Sequence, residues 1–287
     1  MESRRHFLAS ILAPAVPLYA GAKPLFVFDN GTGRGVLSID EQVDLAARTG
    51  YAGLLYAGTK AIPELVAAHR ARGLSVLGLY TGMDLSDPAP GYDPGLPDAV
   101  RHLKGTGAIV TFTVNGKAPN GDVIVIPVLR DVAGMAAEAG LHVALYHHYG
   151  FHMARVEHAL RLRELIDRPN VGIVFNLCHW LRSGDEANMQ TRLAEAVPHT
   201  RLVLINGADH EGDWDRLIQT LDRGEFDVKR FLATLGELGY QGAMGLQCFN
   251  IKGDREENLR RSMAAWRRYS DPAYSASSPR PSLPMPR

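Results

Sequence analysis

The residues most able to do chemistry are histidines that fall close together in the middle of the chain. His147, His148 and His152 lie within a stretch of six residues, and His179 follows the next apolar run. A neutral imidazole is both a common metal ligand and an acid or base that works near neutral pH. Because side chains alternate along a strand, only one of the adjacent pair faces a given side, and His148 shares its side with Tyr146. The cluster therefore indicates a site that binds a metal or moves protons.

Polar side chains also follow most of the other apolar runs. If these runs are strands of one parallel barrel, their carboxyl ends meet at one mouth, where functional groups gather in this architecture. Asp209 joins the histidines there as a group able to move protons, and we rank His148 and His179 first because they lie nearest the predicted strand ends. The other polar residues at these ends include Asn30, Tyr80, Asn115, Tyr146, Asn176, Asn206 and Gln247.

The elements that would position these residues are short apolar runs alternating with longer amphipathic segments. The unit recurs about every 30 residues, the size of a strand–helix unit, and we count eight of them. Runs that are apolar throughout are typical of parallel strands buried on both faces, and no dinucleotide glycine fingerprint favours an open sheet. We predict a closed (β/α)₈ TIM barrel over residues 23–269, with strands at 25–30, 52–57, 75–80, 108–114, 142–146, 171–177, 202–205 and 243–248.

Particular residues support the predicted helices. Ser38 and Glu41 have the capping-box spacing, and Gly50 gives a stop. Residues 122–139 are ambiguous, because 123–126 alone resemble a strand, but the apolar spacing from residue 129 favours a helix with Pro127 in its early turns. The remaining predicted helices include 154–166, 185–196, 227–238 and 254–266.

Length and composition indicate one large domain. The chain has 287 residues, 46% of them hydrophobic, and balances 31 Lys and Arg against 31 Asp and Glu. A neutral chain lacks the basic footprint of a nucleic-acid-binding protein, so we expect no nucleic-acid partner. Cys178 and Cys248 lie inside apolar runs, and we predict two buried free thiols rather than a disulfide framework.

The two ends of the chain differ from the middle. Ser3-Arg4-Arg5-His6-Phe7-Leu8 resembles the twin-arginine export signal, and the apolar stretch that follows is too short for stable insertion into a membrane. We predict a signal peptide over residues 1–22 and a periplasmic or otherwise exported protein. Residues 270–287 are rich in Ser and Pro and are predicted to be a disordered tail.

Four segments resemble the xylose-isomerase-like TIM-barrel superfamily of sugar phosphate isomerases and epimerases. Asn176-Leu177-Cys178-His179 is similar to its D-x-x-H strand end, and Tyr146-His147-His148-Tyr149-Gly150-Phe151-His152 is similar to the strand end before it. Asn206-Gly207-Ala208-Asp209 resembles its H-x-x-D segment, and Gly245-Leu246-Gln247 its last strand. The order and spacing of the segments carry the resemblance, which covers residues 25 to 269.

The resemblance implies a divalent cation held by Glu, Asp, His and Glu, and the chain departs from that set. Tyr146 or His152 replaces the first Glu, Asn176 the Asp, Asn206 the His and Gln247 the last Glu, while His179 is retained. Replacing carboxylates by amides weakens binding of hard ions. The sequence is consistent with two alternatives. Either Zn²⁺ or Mn²⁺ binds to His148, His179 and Gln247, or the chain has lost the metal.

The activity that the resemblance implies is sugar isomerisation or epimerisation by proton abstraction next to a carbonyl, with or without a metal. Amides and phenols at Asn115, Tyr146, Asn176, Asn206 and Gln247 would bind sugar hydroxyls, and Trp180 would stack on the ring. His148, His152, His179 and Asp209 are the candidate catalytic residues. A lyase or hydratase on an oxidised sugar and a non-catalytic sugar-binding barrel are the alternatives. A DNA-repair endonuclease is disfavoured because the chain is neutral.

The predicted signal can be tested in cells. Replacing Arg4 and Arg5 with lysine should retain the protein in the cytoplasm, because the twin-arginine route requires the arginine pair. Fractionation of cells expressing the wild type and the double variant measures the location. An identical distribution of the two proteins would contradict the prediction.

Overall fold

The structure is a computed structural model that describes residues 23–270. The predicted signal segment and all but the first residue of the predicted tail lie outside these residues. Within them, parallel strands β1 to β8 pair in sequence order, and β8 pairs with β1, so the sheet closes into the predicted barrel. The strands are β1 (Leu25–Phe28), β2 (Leu54–Ala57), β3 (Gly78–Asp84), β4 (Ile109–Asn115), β5 (His142–Tyr146), β6 (Val171–Asn176), β7 (Thr200–Ile205) and β8 (Ala243–Leu246).

Helices surround the barrel and connect successive strands. They are α1 (Ile39–Thr49), α2 (Ile62–Ala71), α3 (Leu96–His102), α4 (Gly121–Glu138), α5 (Val156–Ile166), α6 (Leu177–Arg182), α7 (Met189–Ala196), α8 (Trp214–Leu217), α9 (Val228–Glu237) and α10 (Arg255–Ser270). None of the helices within residues 23–270 is both long and apolar enough to cross a bilayer.

The local sequence signals for α1 and α4 are confirmed. The Ser38 hydroxyl accepts from the backbone N–H of Glu41, whose carboxylate accepts from the Ser38 N–H, and Gly50 ends the helix in a left-handed conformation. The ambiguous segment 122–139 lies in α4, with Pro127 in its second turn. Val123 is 71% exposed, which a residue in a strand buried on both faces would not be.

Strand alternation produces two apolar layers. The inner layer fills the barrel with residues such as Phe28, Ala144 and Val174, and the outer layer packs residues such as Val143 and Leu145 against the helices. In β5, Tyr146 belongs to the inner layer and the next residue, His147, is fully buried on the helix side. His148 returns to the inner side and lines the mouth, so the alternation selects it rather than His147.

Every strand except β5 differs from its predicted bounds by one or a few residues, and β3 extends four residues further than predicted. The sixth strand ends at Asn176 and not at Leu177, because the Asn176 side chain accepts from the backbone N–H groups of Cys178 and His179 and so begins α6. His179 therefore lies on a helical turn rather than on the strand. The short helices α6 and α8 were not predicted. Cys178 and Cys248 are buried free thiols, as predicted.

His147 joins β5 to the end of β6. Its Nε2 lies 3.0 Å from the backbone nitrogen of Asn176 and accepts that N–H, so the ring must stay neutral for the contact to persist. Burial lowers the pKa of His147 to about 3. A histidine whose pKa is depressed on folding contributes stability above its unfolded pKa of about 6.5, and that contribution is lost as the pH falls towards the folded value.

Replacing His147 with leucine should therefore destabilise the protein in a pH-dependent way. At pH 7 the free energy of unfolding of the variant should be about 1–3 kcal/mol lower than that of the wild type, because the Asn176 N–H is left buried without an acceptor. Below pH 6.5 this difference in the free energy of unfolding should decrease by up to about 1.4 kcal/mol per pH unit. Denaturant unfolding from pH 4 to 8 measures both values, with the exposed His102→Leu as control. A difference in the free energy of unfolding that does not change with pH would contradict the role of His147 as a neutral acceptor.

Candidate active site at the carboxyl ends of the strands

A cavity of about 390 Å³ opens at the carboxyl ends of the strands, as expected for this architecture. Its floor contains Tyr80, Tyr146 and Gln247, and the imidazoles of His148 and His179 line one side. The cavity combines apolar area with a few polar groups, which is the usual composition of a site for a small molecule.

The centre of the floor is the hydroxyl of Tyr146, which two amide groups hold. Asn176 Nδ2, at the end of β6, donates to this hydroxyl over 2.5 Å. Gln247 Nε2, just after β8, donates to it over 3.5 Å. Tyr146 comes from β5, so its ring reaches across the mouth and joins three parts of the barrel. The structure thus brings together three of the predicted substrate-binding residues.

The orientation of both amides is set by backbone groups. Asn176 Oδ1 accepts from the backbone nitrogens of Cys178 and His179. Gln247 Oε1 accepts from the backbone nitrogens of Cys248 and Phe249 and from the Asn30 side chain. Turning either amide over would place an NH₂ group against backbone N–H groups, so the oxygens face the chain and the NH₂ groups face Tyr146.

The two imidazoles stand together with different tautomers. The ring centres of His148 and His179 are 3.9 Å apart. His148 Nδ1 lies 3.1 Å from the carbonyl oxygen of Tyr149 and must donate to it, which leaves a lone pair on Nε2. His179 Nδ1 accepts from the backbone N–H of Tyr149 over 3.4 Å, so its Nε2 carries the hydrogen. One residue's backbone therefore makes His148 a proton acceptor and His179 a donor.

Both imidazoles are neutral at neutral pH. Burial lowers the pKa of His148 from its ordinary value, and burial together with the adjacent His148 and His147 lowers the pKa of His179 well below it. Phe151 stacks on the His148 ring at 3.8 Å and holds its plane. Among residues 23–270, no group contacts Nε2 of either ring at hydrogen-bond distance. Both Nε2 atoms are thus available to a ligand in the cavity.

Aromatic side chains form the outer wall of the cavity. Trp214, on α8, packs edge-on against His179 at 5.2 Å, and Tyr149 and Phe249 at the rim are 43% and 49% exposed. Such faces suit the C–H surface of a sugar ring. Trp214 and Phe249 were not among the residues predicted from the sequence. Their position in the segments that follow β7 and β8, where barrel enzymes carry function, is the signal that could have identified them.

Trp180 does not line this cavity, contrary to our expectation. It is 1% exposed, packs against Phe175 and Phe231, and donates from Nε1 to Asp185. Because α6 begins directly at Asn176, Trp180 lies on the side of the helix that faces the outer core.

Four other predicted site residues also hold the fold rather than line the cavity. His152 Nε2 lies 2.9 Å from Asp122 at the start of α4. The Arg216 guanidinium beside Asp209 holds the pKa of that carboxyl below its usual range, so it is an ionised structural partner. Asn206 Nδ2 donates to the carbonyls of Gly207 and Leu217. Asn115 donates to Asp84 and lines a separate open groove that borders Tyr80.

Arg34 contributes a positive charge at the cavity rim, and a buried partner holds it. Its Nη1 lies 3.3 Å from Oδ1 of Asp29, whose side chain is fully buried while that of Arg34 is 42% exposed. Burial raises the pKa of Asp29 to about 6, against the lowering effects of the Ala57 N–H and of Arg34. The Asp29 carboxyl therefore titrates closer to neutral pH than an ordinary aspartate does.

The residues at the centre of the mouth do not fit a divalent cation. A cation needs lone pairs, and the atoms of Asn176 and Gln247 that face the centre are NH₂ groups. Within residues 23–270, no three His, Cys, Asp or Glu side chains are grouped as metal ligands. The ligand set predicted from His148, His179 and Gln247 is not assembled, because the Gln247 oxygen is occupied by three N–H groups.

Metal analysis tests this arrangement. We expect purified protein to contain much less than one equivalent of Zn²⁺ or Mn²⁺ per chain, and chelation to leave the melting temperature unchanged. Elemental analysis and thermal unfolding with and without a chelator measure the two quantities. A stoichiometric metal whose removal lowers the melting temperature would contradict the amide orientations described above.

A gain-of-binding variant provides the matched comparison. Changing Tyr146→Glu, Asn176→Asp and Gln247→Glu together replaces the central donors with carboxylate oxygens. Mn²⁺ should then raise the melting temperature of the variant but not of the wild type, since a ligand at 100 times its Kd stabilises by about 2.7 kcal/mol. An equal response of both proteins to Mn²⁺ would contradict the prediction.

The fold is shared with solved sugar epimerases at low sequence identity. An L-ribulose 3-epimerase superimposes with a TM-score of 0.70 at 15% identity, over 91% of this chain and 99% of that one. The 3-keto-D-glucoside 4-epimerase YcjR from E. coli gives 0.69 at 19% identity, over 85% and 99%. The IolI protein, solved with a bound zinc atom, gives 0.67 at 16% identity, over 85% and 96%.

Sequence comparison identifies the family. No relative is found among curated protein sequences. The family model of the xylose isomerase-like TIM barrel matches residues 43–269, from within α1 to all but the last residue of α10. The chain therefore belongs to the xylose isomerase-like TIM barrel family.

Proposed function

We propose that this protein is a sugar isomerase or epimerase that enolises a sugar or keto-sugar with an imidazole base and without a metal. The observation that carries the proposal is the pair His148 and His179, fixed in opposite tautomers beside one cavity. The epimerases that share the fold support sugars as the substrate class, and the aromatic wall of Trp214 and Phe249 is consistent with one.

The chemistry follows from the tautomers. His148 Nε2 would take the proton from the carbon next to a carbonyl, and the C–H electron pair would become the C=C bond of an enediolate. The carbonyl oxygen would gain the negative charge, and His179 Nε2–H would donate a hydrogen bond to a substrate oxygen. A neutral imidazole can serve as such a donor when its surroundings depress its pKa. Protonation of the same carbon by water on its opposite face would give an epimer. Return of the proton from His148 to the neighbouring carbon, as the hydroxyl proton of that carbon moves to the other oxygen, would give an isomer.

This scheme includes no metal ion, because the groups that face the centre of the mouth are the hydrogen-bond donors described above. A cation would polarise the carbonyl in a metal-dependent relative. Here the floor offers N–H and O–H groups, which can contact the same oxygen only by donating hydrogen bonds. The proposal therefore assigns proton removal to His148 and oxygen binding to donors of the chain itself.

Exchange of substrate hydrogen with D₂O tests the proposal without requiring the product to be known. Enolisation incorporates deuterium next to the carbonyl whether the enzyme is an isomerase, an epimerase or a lyase. In NMR assays of ketoses and keto-glycosides, the wild type should exchange in the presence of a chelator. His148→Gln should lower the rate about 10²–10⁴-fold, the usual effect of losing a general base.

The control variant is His199→Gln, at the amino end of β7 and on the opposite side of the barrel. It should exchange like the wild type. His179→Gln should slow exchange with little loss of stability, since its ring nitrogen makes one long hydrogen bond. Exchange that His148→Gln leaves unchanged would refute the assignment of the base, and wild type without exchange on any sugar would favour a binding protein.

A further inference from the structure

The hydroxyl of Tyr146 has an unused hydrogen. An amide NH₂ group cannot accept a hydrogen bond, so the contacts from Asn176 Nδ2 and Gln247 Nε2 both use lone pairs of the phenol oxygen. The hydroxyl hydrogen must therefore point elsewhere. Among residues 23–270, no acceptor lies within hydrogen-bond distance of it. Since Tyr146 lines the cavity, that hydrogen is directed to whatever the cavity contains.

The neighbours of Tyr146 hold this hydroxyl in place. Its side chain is 1% exposed, and the rings of Tyr80 and His179 pack edge-on against it with centres 5.1 and 6.0 Å away. The two amides that orient it are fixed in turn by backbone N–H groups of α6 and of the segment after β8. Burial raises the pKa of Tyr146, so the phenol keeps its proton at neutral pH.

A donor of this kind is strongest towards an oxygen that becomes negative. A fixed donor in a site shielded from water needs no reorganisation when charge appears, which is why such donors stabilise oxyanions so effectively. The donors nearby have the same sense, because the NH₂ groups of Asn176 and Gln247 also face the centre. The centre of the mouth is thus suited to a negatively charged oxygen and unsuited to a cation.

We infer that Tyr146 is the oxyanion donor of this site, with Asn176 and Gln247 as positioning residues that aim its hydroxyl at the ligand. The inference rests on the proposed function in one respect, since the oxygen is that of the enolised substrate. The hydroxyl hydrogen bonds to the carbonyl oxygen as the C–H electrons move into the C=C bond and negative charge collects there. The proton stays on the phenol, so the step needs no co-reactant.

The first test removes the hydroxyl and keeps the ring. Tyr146→Phe should lower kcat for D₂O exchange about 10²–10³-fold, the usual effect of losing one oxyanion donor, with KM changed much less. Oxalate, a planar dianion that resembles an enediolate, serves as a binding probe in the presence of a chelator. The wild type should bind oxalate, and Tyr146→Phe should bind it about 10- to 100-fold more weakly.

A second variant tests the positioning role without deleting the phenol. Gln247→Glu keeps an oxygen against the backbone nitrogens of Cys248 and Phe249, but replaces the NH₂ group with a second oxygen. That oxygen would accept the Tyr146 hydrogen and turn it away from the ligand. Oxalate binding and kcat should fall as in Tyr146→Phe. In the double variant Tyr146→Phe with Gln247→Glu, both quantities should be little lower than in either single variant.

A buried tyrosine elsewhere controls for folding. Tyr51→Phe removes a buried hydroxyl that donates to the Leu259 carbonyl and does not line the cavity, and it should leave oxalate binding and exchange unchanged. Melting temperatures of all variants show whether each remains folded. If Tyr146→Phe unfolds, Gln247→Glu alone decides the question.

The outcomes separate this inference from the proposed function. Wild-type exchange that Tyr146→Phe and Gln247→Glu leave intact would overturn the oxyanion role while the imidazole chemistry stands. No exchange by the wild type would overturn the proposed function, and the oxalate comparison would then decide whether the mouth binds anions. Oxalate that fails to bind the wild type, or binds all variants equally, would overturn the inference.

Discussion

The amide contacts to the Tyr146 hydroxyl set the character of the whole site. Asn176 ends β6 and Gln247 follows β8, two strands away, and each turns its NH₂ group inward because backbone N–H groups donate to its oxygen. The lone pairs of the phenol oxygen are thereby used at the centre of the mouth without an ion, and its hydrogen is left for a ligand. The same set of positions with carboxylates would repel one another unless a cation lay between them. Metal binding and hydrogen bonding are alternative ways to stabilise one cluster of strand ends.

The barrel makes this arrangement possible through strand alternation. Tyr146, Asn176 and Gln247 occupy inward positions, whereas their neighbours Leu145, Phe175 and Leu246 pack in the layer under the helices. A shift of one residue in any of these strands would exchange the two sets. His147 helps to hold the pairing of β5 with β6, since its ring accepts the N–H of Asn176 itself. A residue outside the cavity thus supports the residue that orients its floor.

The loop after β5 sets the tautomers of the two groups that can move protons, His148 in the loop itself and His179 on α6. Tyr149 presents its carbonyl to His148 and its N–H to His179, and so assigns opposite tautomers to rings that stand 3.9 Å apart. Burial lowers the pKa of each ring, and the adjacent His148 lowers the pKa of His179 further, since two imidazoles this close resist carrying charge together. A neutral base, a neutral donor and a floor of fixed donors are the elements that metal-free enolisation would need.

The sequence by itself determined the architecture and the positions that matter. Apolar runs at regular spacing specify the barrel, and the period of two along β5 places His148 with Tyr146 inside it. The departures from the family pattern at Asn176 and Gln247 were also visible.

What only the tertiary structure decided was the direction of each polar atom. Whether an amide offers its oxygen or its NH₂ group depends on backbone donors that the fold brings to it, as at Phe249 and His179. The tertiary structure also decided the positions of two tryptophans. Because α6 begins at its cap, Asn176, the indole of Trp180 packs into the core, whereas the segment after β7 brings the indole of Trp214 to the cavity. Residue type and spacing fix which groups reach a site, but hydrogen-bond direction is a property of the neighbours, and those are distant along the chain.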